Sequence, residues 1–319
     1  MSDLLPEHRE DRTVGLAEAG GASPSSHITT TVDDGRSKKR RLGIGFWLST
    51  VWLVIVFGLT MLAPYLPFVE KAGAFPDFSV DPAAGPSGSH WFGVNKNGDD
   101  LFSQVVNGGR ISLFIAFAVV LLGFVSGGIV GMVAGFFRGR VDRVISAVID
   151  VLLAFPALVL ALAMIAVFAS DGSTVRPNMP VVIGSLSILS VAPLARITRG
   201  ITLAFAEREF VTAARTLGAS NGRILRKEIL PNVIPPMAVF SLTVIAVVIV
   251  AEGALAFLGL SVGGAAPTWG KLINVGRPEL ESAPHITFFP AGVMFLTILA
   301  LNYIGDILQS KFTVREGAL

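Results

Sequence analysis

EREFVTAARTLGASNGRILRKEILPNVIPP, from Glu207 to Pro236, is a polar interruption between two long apolar stretches. Its first half has helical periodicity: Phe210, Ala213, Ala214 and Leu217 recur at i, i+3, i+4 and i+7, while Glu207, Arg208, Thr212 and Arg215 take the other face. Gly218 ends this helix, because glycine turns through positive φ at no steric cost. A second helix is predicted to start after Ser220 or Asn221. It carries Ile224, Leu225 and Ile229 inward and Arg223, Arg226 and Lys227 outward, and it stops at Pro231. A helix, a turn and a helix with so narrow an apolar stripe cannot lie in lipid. The unit is expected at the membrane surface, against headgroups or another protein, as a plain loop or as a docking element.

The rest of the chain says membrane. Hydrophobic residues make up 52% and charged residues 15% of the sequence, against roughly 25% charged in soluble domains. Six apolar runs near the ~20 residues a spanning helix needs fall at about 44–66, 110–136, 144–168, 180–200, 233–260 and 290–308. The fold class is therefore an all-α membrane protein with six transmembrane helices. Four segments follow: a disordered tail at 1–41, a first transmembrane helix with an external loop at 42–109, a five-helix core at 110–308 holding the loop 201–236, and a tail at 309–319. No hydrophobic segment precedes the basic run Arg36 to Arg41, so the start does not read as a secretory signal peptide.

Orientation follows from charge. Nineteen of the 25 Lys and Arg residues lie in the first tail, the turn at Arg138 to Arg143, the stretch Arg196 to Lys227 and the last residues. By the positive-inside rule both termini and the Glu207–Pro236 unit are cytoplasmic.

Chemistry-bearing residues are few. With no cysteine there is no disulfide, thiol nucleophile or Cys-based metal site, and the four scattered histidines include no pair at ligand spacing, so neither a metal nor a catalytic residue is expected. Gly259-Leu-Ser261-Val-Gly263 spells a hydrolase elbow, but it follows a membrane helix rather than a strand. Two carboxylates stand inside apolar runs, Asp150 near one end of the third and Glu252 deep in the fifth. A mid-bilayer charge costs ~2.5–3.5 kcal/mol on insertion scales, so such groups face a cavity or a partner; both are candidates for the translocation path, and for Glu252 a hydrogen bond to a neighbouring helix is the equal alternative. Gly123, Gly127, Gly128, Gly131 and Gly135 in the second run are read as one helix-packing face, and Pro156 as a kink in the third.

Several motifs carry a resemblance. Ala213-Ala214, Gly218 and Ile229-Leu230-Pro231 resemble the cytoplasmic signature loop of permeases in bacterial binding-protein-dependent ABC importers, with Thr212 where that family usually has Glu. The segment His90 to Leu113, with Gly93, Gly98, Asp100 and Arg110, is similar to the approach to the second span in C-type permeases of oligopeptide and dipeptide importers, with Val94-Asn95 and Asp99 as departures. Gly135 to Leu158, and EGALAFLGLSV followed by Pro267-Thr-Trp269-Gly270, resemble the same family, so that the likeness runs from about His90 to Asp306.

The resemblance implies a type I ABC importer permease fold in the bacterial cytoplasmic membrane and a heterodimer with a homologous permease. It also implies two ATPase subunits that bind the ATP and Mg, and an extracytoplasmic solute-binding protein. Glu209, Ala213, Ala214, Leu217, Gly218, Arg223, Arg226, Lys227 and Pro231 become the ATPase-docking coupling helix, and Trp91, Asp100 and Trp269 the external loop. No phosphate-binding loop occurs in the chain itself, so it is expected to be no enzyme and to hold no cofactor, with lipid but no nucleic acid among its partners. The implied cargo is a dipeptide or oligopeptide, with haem or nickel as alternatives; a secondary transporter working alone is the rival class.

Overall fold

The computed structural model describes residues 43–71, 79–168, 179–263 and 267–316, with side chains to Lys311; the expected tail at 1–41 lies outside them. Helices account for nearly all of the regular structure, and among the described residues the sole β feature is an isolated bridge between Val94 and Asp100.

Helix α1 (Ile44–Leu62) is uniformly apolar and ends in a 3₁₀ turn at Pro64. Helix α2 (Leu101–Phe137) begins about two and a half turns earlier than the apolar run predicts. Asp100 is its N-cap and accepts a hydrogen bond from the Ser103 amide at 2.8 Å, which extends the helix out past Arg110. Arg138 and Gly139, both at positive φ, reverse the chain into α3 (Gly139–Ala154).

The third apolar run is not one kinked span. It is two helices, α3 and α4 (Ala157–Phe168), meeting at 95°. Pro156 drives Phe155 out of the helical region to φ −80°, ψ 138°. At 1.5 Å per residue the pieces are only about 24 and 18 Å long, so neither crosses a bilayer alone. Among the described residues five single helices are long and apolar enough to span, and six spans result if this bent pair counts as one.

Helix α5 (Met179–Ala206) keeps Pro193 inside it. It is followed by the short α6 (Glu209–Thr216) and by α7, continuous from Asn221 to Phe257. The expected stop at Pro231 does not occur. Leu225–Ile229 form a π turn in which the Leu230 amide bonds to the Leu225 carbonyl; the wider turn makes room for a residue with no N–H and a bulky ring. A short α8 (Trp269–Gly276) lies across the far end of α7, and α9 runs from His285 to Glu316, so backbone that the sequence assigns to a tail from 309 continues the last helix.

Helix α2 organises the packing. Gly123, Gly127, Gly131 and Gly135 come at four-residue intervals along its contact with α5. A Cβ at Gly127 would lie 2.9 Å from the Val191 carbonyl oxygen, and one at Gly135 2.8 Å from that of Arg199. No larger residue fits, and without side chains the two backbones gain van der Waals contact along four turns. Gly128, expected on the same face, instead meets Met237 of α7. Around this pair Leu113, Val119, Leu194, Met237 and Ile249 form the core. Helix α1 sits at the edge, held to α9 by Trp52 Nε1 donating to Thr297 Oγ1 at 3.2 Å.

Gly127→Leu should therefore part α2 from α5 at a cost of about 1–3 kcal/mol, seen as a lowered Tm of the detergent-solubilised protein. Gly58→Ala in α1, where nothing lies within 4 Å of the added Cβ, should leave Tm unchanged or slightly higher.

Candidate functional site

The α6 unit is built as an outward-facing elbow. Helix α6 closes with two bonds, from the Ala219 amide to the Ala214 carbonyl and from the Gly218 amide to the Arg215 carbonyl, each 3.0 Å, with Gly218 at φ +79°. This is the Schellman arrangement, and only glycine holds its left-handed residue without strain. Val211, Ile224 and Ile229 are fully buried and peg the elbow to the body. Val211 escaped the sequence reading, although it lies three residues before the half-buried Ala214 and so shares its face.

The apolar stripe of α6 is divided. Ala214 packs against the core, whereas Phe210, Ala213 and Gly218 are exposed and Leu217 is 88% exposed. Glu209 opens the first turn of α6, where the helix dipole favours a carboxylate. Arg223, Arg226 and Lys227 point outward as expected, and Pro231 is exposed beside the π turn. Arg138 ties this unit to the α2–α3 turn by donating to Glu207 Oε1 at 2.9 Å, and Arg215 lies over the Phe136 ring at 5.4 Å.

Next to the elbow, two ion pairs stitch α3 to α5. Asp142 accepts two hydrogen bonds from one edge of the Arg199 guanidinium, to Oδ1 from Nε and to Oδ2 from Nη2, the latter at 2.9 Å, and Asp150 pairs with Arg196. The Asp142 pair is largely enclosed. Asp150 and Arg196 are instead 62% and 56% exposed; Asp150 stands about two turns from Arg143 along α3, and Arg196 three residues from Arg199 along α5.

At the opposite end of α7 the candidate Glu252 is closed in. It is 1% exposed, a little over one turn from the end of α7 rather than deep within it. Ser261 Oγ donates to its Oε1 at 2.7 Å and Ser112 Oγ to its Oε2 at 3.2 Å. Ser112 in turn accepts the Trp269 amide at 3.2 Å, and the fully buried Trp269 donates from Nε1 to the Val105 carbonyl at 2.9 Å. One carboxylate thus joins α2, α7 and the loop into α8. The serine of the hydrolase-like spelling is a partner of this carboxylate. Gly270 abuts Gly253, where a Cβ would come within 2.7 Å of the Gly253 carbonyl oxygen, so the crossing of α8 over α7 is as tight as that of α2 over α5.

The loop before α2 builds around Asp100. Its Oδ1 lies 3.0 Å from His90 Nδ1 while Oδ2 caps α2. Asn95 donates to Asp99 Oδ2 at 2.7 Å, and Gln104 donates to the same oxygen at 2.8 Å, so the residues that depart from the family pattern form a network of their own. Trp91 is exposed and packs on Phe68 and Phe102. Lys96 bonds Glu279 beyond α8 and holds its carboxyl below the ordinary range.

Residues 127–315 match the family described as binding-protein-dependent transport system inner membrane component. The chain belongs to this family. It is similar to the glutathione transport system permease protein GsiD of Pectobacterium atrosepticum, 38% identical over 81% of this chain and 83% of that protein. It is 32% identical to the dipeptide transport system permease protein DppC of Alkalihalophilus pseudofirmus, over 82% and 84% of the two chains. Among solved structures, the MetNI methionine ABC transporter superposes with a TM-score of 0.52 at 20% identity, over 66% of this chain and 97% of that one, which establishes a shared fold. This inner membrane component is accordingly a multi-pass permease subunit of an ABC importer, and the six-span all-α class read from the sequence holds for it.

For the permease, Glu252→Gln should retain most stability because two polar atoms remain for the serines. Glu252→Leu strands Ser112 and Ser261, at about 1–3 kcal/mol for each unpaired group; thermal melting in detergent separates the two variants.

Proposed function

We propose that this permease forms, with a homologous permease, the pathway of an ATP-driven peptide importer, and that its α6 elbow is the docking point for an ATPase subunit. The single observation that carries the docking assignment is the uncovered apolar face of Phe210, Ala213 and Leu217. A side chain of leucine's size left 88% exposed on a basic, polar elbow is an anchor waiting for a pocket. Around it Arg223, Arg226 and Lys227 supply charge for acidic groups on the partner, and Glu209 supplies a carboxylate near the position where Thr212 replaces the family's glutamate.

On this reading the elbow, both termini and the ATPases lie on the cytoplasmic side, and a solute-binding protein meets the loop before α2 at the exposed Trp91, while the buried Asp100 and Trp269 shape that face from within. ATP and Mg are bound and hydrolysed by the ATPases. Their closure moves the elbow, and the permease pair alternates between outward and inward access. Peptide cargo is supported by relatives named for glutathione and dipeptide transport; those names favour peptides over haem or nickel. A transporter working alone would use an accessible titrating carboxylate, whereas Glu252 is enclosed by Ser112 and Ser261. Its proposed role is to clamp the outer ends of α2 and α7, which leaves Asp150 as the path candidate.

Gly218→Val puts a β-branched residue at positive φ, and Leu217→Asp removes the anchor. In both variants recovery of ATPase with the tagged permease should fall about 10-fold or more, the equivalent of ~1.4 kcal/mol, together with uptake, while the amount of permease in the membrane stays the same. Wild-type recovery and uptake in both would overturn the docking assignment.

A further inference from the structure

The pair Asp150 and Arg196 is placed unlike the other ion pairs of the permease. Asp150 stands roughly 10 Å along α3 from Arg143, and Arg196 roughly 4 Å along α5 from Arg199, on the apolar side of both, at 1.5 Å per residue. Both side chains remain more than half exposed, although the residues that follow Asp150 in α3 and those that precede Arg196 in α5 are mainly valine, leucine, isoleucine and alanine. Acyl chains are a poor surrounding for two such groups, and Asp142–Arg199 already fastens the same two helices. The exposed pair therefore calls for polar surroundings on its open side, along the α3–α5 seam.

Room exists beside it. Ala147 and Ala154 lie one turn to either side of Asp150 and are exposed. Gly200 lies one turn beyond Arg196, with nothing within 4 Å of where its Cβ would stand. A bulky side chain on a bound molecule meets little resistance here, whereas a charge meets a definite partner.

We propose that Asp150 and Arg196 form a transit site for the zwitterionic backbone of a short peptide, Asp150 accepting hydrogen bonds from the α-ammonium and Arg196 donating its guanidinium fork to the α-carboxylate. In the empty permease each residue neutralises the other. With peptide present, one ion pair is exchanged for two, so neither state leaves a charge unpartnered. An anion alone would strand Asp150 and a cation alone would strand Arg196, so selection falls on molecules bearing both charges within a few ångströms. Because the pair reads only the backbone, side-chain identity is left to other subunits. This rests on the reading of the chain as a peptide permease.

The test uses the complete transporter in proteoliposomes, with partner permease, ATPases and binding protein, and three probes: L-alanyl-L-alanine, its N-acetyl derivative and its C-terminal amide. Uptake is normalised to assembled complex, and each variant is expressed as a ratio to wild type for the same probe, which cancels the selectivity of the binding protein. Asp150→Asn and Arg196→Gln should each lower uptake of the free dipeptide about 10-fold or more. Asp150→Asn should leave the N-acetyl ratio near one, and Arg196→Gln the amide ratio. Arg196→Lys, which keeps the charge, should retain the preference for a free carboxylate and serves where Arg196→Gln assembles poorly. Equal losses for all three probes, or ratios near one throughout, would overturn the transit site while wild-type uptake keeps the permease reading intact. Absence of ATP-dependent dipeptide uptake by the wild type would overturn that reading, and the transit site with it.

Discussion

The close approach of α2 to α5 is the constraint on which the rest of the permease depends. In lipid there is no hydrophobic gain from pressing two apolar helices together, so association must come from contact density. Gly123, Gly127, Gly131 and Gly135 provide it by letting backbone meet backbone. Once α5 is seated, the positions of Arg196 and Arg199 along it are set, and α3 is drawn alongside through Asp150 and Asp142. Arg138, just past the last of these glycines, then reaches Glu207 at the start of the elbow. The basic end of the protein is thus assembled from the same helix pair that forms its centre.

The opposite end is held by different means. There the contacts are polar and buried, with Glu252, Ser112, Ser261 and Trp269 satisfying one another. Such a cluster is directional where glycine packing is not, since each hydrogen bond fails if a helix rotates. One end of the bundle is therefore fixed by shape and the other by hydrogen-bond geometry.

Much of this was legible in the chain. Long apolar runs give spans because a bilayer demands about 20 residues of them, and the elbow showed itself through Gly218 and the bounded stripe of Phe210 to Leu217. What escaped depended on distant partners. Pro156 announces a break, but the angle of 95° between α3 and α4 is set by what they pack against. Pro231 is a helix breaker by local rule, and only the π turn, whose cost is met by burial of Ile224 and Ile229, lets α7 pass through it. Asp150 and Arg196 lie 46 residues apart, with no local pattern to join them, and Glu252 looked solitary because its serine partners come from another helix and a loop. Local rules read the elements well; pairings across the bundle follow from tertiary packing.

The π turn has a mechanical consequence. Because it welds the elbow's second arm to the spanning segment, α7 is one rod from Asn221 to Phe257, about 55 Å long. A tilt of about 5° at the elbow, if the rod stays stiff, sweeps its far end through roughly 5 Å over that length. Its far end carries Glu252 and abuts α8 at Gly253. Had the helix ended at Pro231, a hinge would have absorbed the push within one turn; as built, a small angular input at one face of the membrane becomes a displacement of several ångströms at the other.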